Sequence, residues 1–139
     1  DQVVFTDLAL NKDVNIAAPV APDFVTVNST ADYTFAGAAI TGPGGLFKNE
    51  TGTLFLNNNN SYTGGTYISA GRLVVNGAVT GPVEVQAAGT LGGSGTITGN
   101  VFGAGTVAPG NSIGTLHVAG AYNITGTNDF EISKIGLDL

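Results

Sequence analysis

At 139 residues the chain has the size of one domain, and no stretch in it reads as an interdomain linker. Its 22 glycines come with only 5 prolines and no Gly-X-Y period, which excludes collagen, and 42% apolar residues argue against wholesale disorder. The net charge is -6, and Lys12, Lys48, Arg72 and Lys134 are scattered singly, without the basic clustering that phosphate binding requires, so nucleic acid is not an expected partner.

From its first residues, Asp1-Gln2-Val3-Val4-Phe5, the chain shows neither the charged start nor the apolar run of a signal peptide. No apolar run approaches the roughly 20 residues of a membrane helix, so a soluble segment without membrane insertion is expected, cut from a longer polypeptide. Ala17-Ala18-Pro19-Val20-Ala21-Pro22 suits an extended loop, because proline lacks a ladder donor and constrains its predecessor. Residues 1–45 are therefore expected to form irregular or longer coils. Helical periodicity is absent. Short alternating strands follow one another: Val25-Thr26-Val27, Tyr33-Thr34-Phe35, Thr53–Leu56, Thr66-Tyr67-Ile68, residues 73–75, Val83-Glu84-Val85, Thr96-Ile97-Thr98, Leu116-His117-Val118, Tyr122-Asn123-Ile124 and Phe130-Glu131-Ile132. Turns written in Gly and Asn separate them, at Thr63-Gly64-Gly65, Asn76-Gly77, Gly92-Gly93-Ser94-Gly95, Gly99-Asn100 and Pro109-Gly110-Asn111.

Register decides among a sandwich, a barrel and a solenoid. Gly52-Thr53-Leu54, Gly71-Arg72-Leu73 and Gly89-Thr90-Leu91 recur at nearly equal intervals, and Val107 continues the leucine series after a slightly shorter one. Ile68, Val85 and Val101 form a second series, and Ile97 and Leu116 a third. Several apolar columns sharing one period are what stacked coils produce, each burying its side chains on the next. The expectation is an all-β parallel β-helix with roughly 18–20 residues per coil and about six or seven coils, a rod on the order of 30 Å long at a strand spacing of about 4.8 Å. Thr53, Thr90, Thr96, Thr106 and Thr115 each follow a glycine, and stacked Thr or Asn side chains are expected to bond along the outside as ladders.

These residues resemble a known family. Gly52-Thr53-Leu54-Phe55-Leu56, Asn60-Ser61-Tyr62-Thr63-Gly64-Gly65-Thr66 and Ile68-Ser69-Ala70-Gly71-Arg72-Leu73 look like the passenger-associated repeat of type V secreted autotransporters from Gram-negative bacteria. The resemblance continues through Leu91-Gly92-Gly93-Ser94-Gly95-Thr96-Ile97 to the motif Pro109, Gly110, Asn111, Ser112, Ile113, Gly114, Thr115, Leu116, and runs almost continuously over residues 46–124. It implies one right-handed parallel β-helical passenger fragment over 1–139, with regular repeat coils over 46–124 and the start of a C-terminal cap or autochaperone region over 125–139. The implied partners are the upstream passenger and a downstream outer-membrane β-barrel, at the cell surface or in secreted form. A solenoid grows by adding coils to a template, which is compatible with folding during secretion.

Chemistry is sparse. His117 is the lone histidine and alternation turns it outward. Asp129 and Glu131 share a face, and Asp1, Asp7 and Asp13 space the first coil, but between Glu50 and Asp129 the one acid is Glu84, so solvated surface groups outweigh a glycosidase-like carboxylate pair. Gly92-Gly93-Ser94-Gly95 precedes no helix and no phosphate-binding lysine, which makes it a corner. The run Asn57, Asn58, Asn59, Asn60 reads as a polar loop, with an amide ladder or a ligand contact as the alternatives. With no cysteine, disulfides and thiolate zinc sites are impossible. The leading expectation is a non-enzymatic stalk without a cofactor. The alternatives are a rod surface that self-associates or attaches to host glycans and, behind it, a polysaccharide-acting enzyme.

Overall fold

The computed structural model describes residues 1–110 and 114–130. Among them are β-strands and no helix, and every strand pairing is parallel. The chain winds as a β-solenoid of about six turns with three faces.

One face stacks β1 (Gln2–Thr6), β3 (Phe24–Asn28), β5 (Gly45–Asn49), the first halves of β7 (Thr66–Val75) and β9 (Val83–Gly92), then β11 (Val101–Gly103) and β14 (Tyr122–Ile124). The second stacks β2 (Asp13–Ile16), β4 (Tyr33–Gly37), β6 (Thr53–Leu56), the second halves of β7 and β9, then β12 (Thr106–Val107) and β15 (Thr127–Asn128). The third is made of the Val20–Ile40 bridge and of β8 (Ala78–Val79), β10 (Thr96–Ile97) and β13 (His117–Val118).

Along the first face Gln2 stacks on Phe24 and Phe24 on Gly45, then Leu46 on Thr66, Thr66 on Val83, Val83 on Val101 and Val101 on Tyr122. The turns therefore shorten toward the middle of the chain and lengthen again at its end. The reason for the early shortening lies at the corner between the first two faces. Six residues separate β1 from β2, four separate β3 from β4 and three separate β5 from β6, while β7 and β9 round the same corner as single strands. The bend in β7 is made at a register shift between Ile68 and Ala70, next to Gly71 at φ +69°. The expected coil period thus holds for part of the middle, from Leu54 to Leu73 to Leu91; the repeats Thr66 to Val83 and Leu91 to Val107 are shorter, and the first turns and the last described one are longer.

The leucine column stands as the sequence implies: Leu54 pairs with Leu73, Leu73 with Leu91 and Leu91 with Val107, and Tyr33 extends it one coil upstream. Two other columns shift by two residues. Val85 stacks on Gly103, so Val101 lies beneath Val83, and Ile97 stacks on Val118, so Leu116 sits one inward position earlier. A two-residue slip keeps each side chain on the same face, so inward residues stay inward while their partners change. The interior between the faces is largely apolar, with Leu46, Leu54, Leu56, Ile68, Leu73, Val75, Val83, Val85, Leu91 and Ile97 fully buried. Each such side chain contributes about 1.5–3 kcal/mol by leaving water.

The ladders meet the expectation for asparagine and not for threonine. The side-chain rungs between coils include two asparagine pairs, Asn28 with Asn49 at 2.7 Å and Asn57 with Asn76 at 2.9 Å. Threonine hydroxyls reach backbone carbonyls of the preceding coil instead, as Thr41 does to Val20 and Thr125 to Gly103. Thr53, Thr90 and Thr106 do share one outer column, but Arg72 interrupts it, and Thr96 belongs to the third face.

Candidate functional site

The Pro109 motif begins where the chain leaves β12. Ala108 donates its amide to Leu91 O at 2.8 Å and Gly110 donates to Gly93 O at 3.2 Å, with Gly110 in the left-handed region at φ +76°. Pro109 and Gly110 are half-buried, Thr115 is exposed, and Leu116 rests half-buried against the core. Asn111, Ser112 and Ile113 lie outside the described residues. The corner is held from a distance. Arg72, on the outer side of β7, donates through its terminal nitrogen to Ala108 O at 3.3 Å and Gly110 O at 3.0 Å, while its Nε is buried with no hydrogen-bond partner among the described residues.

A second polar cluster fills the corner between the first two faces. Lys48 has inward parity in β5, stacked between Val27 and Ile68, and is 1% exposed. Its ammonium donates to the carbonyls of Asn49 (2.8 Å), Glu50 (2.7 Å) and Ala70 (3.3 Å). Burial pulls its pKa down to about 8, against the opposing pull of Glu50 and Asp32. In the first coil Lys12 does similar work, donating to Ala9 O at 2.6 Å and lying over the Tyr33 ring. Asp7 satisfies the opposite set of groups: it accepts from Ser29 Oγ (2.5 Å), Thr30 N (3.0 Å), Thr30 Oγ1 (3.0 Å) and Ala31 N (3.2 Å). Those donors, Ser29 foremost, lower its pKa to about 2.

The asparagine run is not a plain loop. Asn57 and Asn59 face out, but Asn58 and Asn60 turn inward, buried and bonded to each other, with Asn60 Oδ1 also accepting the Ile40 amide at 3.0 Å. The amides complete backbone bonding at a corner that carries no strand. Close by, buried Tyr62 shares a 2.7 Å hydrogen bond with the Thr66 hydroxyl, and its own burial raises its pKa.

The remaining sequence candidates stay apart. His117 is exposed on β13, and Asp129 is exposed at the last described turn, while Glu131 lies outside the described residues. Asp7 is committed to the Ser29 corner and Asp13 stands on β2. Gly92 to Gly95 form a corner in which Gly93, at φ +112°, packs directly on the Val75 backbone.

On the outside of the first face Phe24, Phe47 and Tyr67 follow one another up the coils. Phe47 and Tyr67 are stacked at 5.0 Å and 12°, and Phe24 is tilted 5.6 Å from Phe47. Phe102 continues the line at 39% exposure, past Glu84. Sequence reasoning missed Lys48, Arg72 and the inward asparagines. One signal was available for Lys48: one coil before buried Ile68 falls on it.

The polar groups described in this stacked β-solenoid mostly bond its own backbone. Comparison with known proteins then narrows the class. Residues 46–75 match the passenger-associated-transport-repeat. The chain is 48% identical over 80 residues to an extracellular serine protease of Serratia marcescens, covering 57% of this chain and 8% of that protein. It is 44% identical over 86 residues to the adhesin BmaC autotransporter of Brucella suis biovar 1 (strain 1330), covering 60% of this chain and 2% of that protein. A second Serratia marcescens extracellular serine protease is 41% identical over 81 residues. No solved structure matches the chain. The chain thus spans less than a tenth of these relatives. The repeat, with an autotransporter among the relatives, makes the chain similar to a segment of an autotransporter passenger.

Proposed function

We propose that this segment is a β-helical stalk, which supports surface display or adhesion by the longer passenger and assists its folding during secretion by a Gram-negative bacterium. The observation that carries this reading is the continuity of the buried columns through the coils, with charged groups spent on corners instead of a cleft. Relatives named for proteolysis and for adhesion each align with more than half of the chain, and a shared scaffold is the simplest property common to both. The segment itself is assigned no catalysis and no cofactor. Its partners are the upstream passenger and a downstream outer-membrane β-barrel. Residues 125–139 are assigned to the start of a cap or autochaperone region.

The test is made in a full-length parent passenger. Val107→Asp places a charge in the leucine column and disrupts the coil of residues 107–118. Slower surface display and loss of protease resistance are expected, and unchanged display with unchanged resistance would sink the proposal.

The aromatic line Phe24, Phe47, Tyr67, Phe102 favours a second reading, an adhesive face. Flanked by Gln2, Asn28, Asn49 and Gln86, it offers ring surface and amides with Glu84 as its one described charge, a chemistry suited to neutral glycans or to a second rod. Glycan-array binding or side-by-side dimerisation that Phe47→Ser abolishes supports this reading. No binding above background and a monomer in solution exclude it.

A further inference from the structure

In a stacked-repeat protein each coil touches its immediate neighbours, so stability is close to a sum of coil and adjacent-interface contributions. Arg72 departs from that rule. It belongs to the fourth coil, and its column neighbour in the fifth is Thr90, yet its guanidinium bonds Ala108 O and Gly110 O in the sixth. The column partners Thr53, Thr90 and Thr106 carry side chains too short for such a span. The route is open because residue 92 is glycine, where a Cβ would stand 2.6 Å from Arg72 Nη2 and 3.1 Å from Nε.

The receiving carbonyls belong to the corner at which the chain leaves β12 and enters the Pro109 motif. Hydrogen bonds from a charged donor are stronger than neutral ones, and half-burial reduces their screening by solvent. A flexible four-carbon lysine offers a point charge, whereas the guanidinium fork places two or more donors in one plane.

We infer that Arg72 is a strap that joins non-adjacent coils, so that the fourth to sixth coils open as one unit and the Ala108–Gly110 corner is held from two coils away. The consequence is directional: damage at Arg72 skips the other faces of the fifth coil and appears at the start of the motif. This coupling rests on the coil geometry and is independent of the stalk assignment.

The experiment is native-state hydrogen exchange on the full chain, comparing wild type with Arg72→Leu and Arg72→Lys. In Arg72→Leu the amides of Ala108 and Gly110, bonded to Leu91 and Gly93, are expected to exchange at least about tenfold faster. The amides of Val83 and Thr98, which mark the other two faces of the fifth coil, keep their wild-type rates. Arg72→Lys gives a smaller loss at the same two amides, and it reads them should the leucine variant fail to fold. Unchanged exchange at Ala108 and Gly110, or uniform acceleration across all faces, overturns the strap.

Discussion

The first coil and the coils beyond it follow the same alternation, yet water treats them differently. In the first coil Val3 is 39% exposed, while Leu46, Leu54, Leu73 and Leu91 farther along are sealed completely. The inward residues of the first coil instead line an open apolar recess of about 620 Å³, with Val3, Phe5, Val14, Ile16, Val25 and Phe35 in its wall. Composition does not explain the contrast. A middle coil is covered on both sides and the first described coil on one, so burial in a solenoid is a property of position in the stack.

The comparison breaks most readily at Leu73, between Leu54 and Leu91. Leu73→Ala is expected to cost about 2–5 kcal/mol in urea denaturation, because neighbours fixed by sheet hydrogen bonds cannot collapse into the cavity. A loss below about 1 kcal/mol, far short of a buried leucine's usual cost, would mean that the middle coils are no better packed than the end.

Lys48 is the next probe. Below pH 8 its ammonium is charged in both the folded and unfolded chain. Between pH 8 and the ordinary value of 10.5 the folded chain has released a proton that the unfolded chain still holds, so stability climbs as pH rises through that window. The gain is on the order of 3 kcal/mol. Since the buried Tyr62 hydroxyl opposes it at the alkaline end, the quantity to measure is wild type minus Lys48→Met. That difference should rise between pH 8 and 10, and a flat difference would show that Lys48 is not shielded from water.

At the equivalent corner of the first coil stability again rises with pH, but here because the fold favours the charged form. Asp7, held near a pKa of about 2, stabilises the fold above its ordinary 3.8, and this contribution is lost as pH falls from 3.8 to 2. Asp7→Asn should therefore flatten the acid limb of a pH-denaturation curve, and an unaltered limb would remove Asp7 from the account. The smallest effect is expected for Val3→Ala, below about 1 kcal/mol in urea, because this side chain is already partly in water.

Much of the architecture was legible because it depends on period two and on a repeated coil. Alternation identified the inward residues of β3, β4, β6 and β9, and the glycine-led leucines revealed the stack. The partners of Val101 and Leu116 were misplaced because corner lengths vary, and a two-residue slip leaves alternation intact. Of the Pro109 motif, the sequence marked a corner, and the structure added the bond from Arg72 that holds it.

What the amino-acid order determined by itself was local: which side chains face inward, where glycine lets the chain turn, and that coils of similar length repeat. What the tertiary structure alone decided was which groups meet across coils. Lys48 sits within an apolar column because three carbonyls of a corner converge on its ammonium, Asn58 and Asn60 turn inward because that corner lacks a strand, and Arg72 reaches the sixth coil because Gly92 leaves the way open. Each includes a bond to backbone distant in sequence, Ala70 for Lys48, Ala38 and Ile40 for the asparagines, Ala108 and Gly110 for Arg72, whose positions exist only once the coils are stacked.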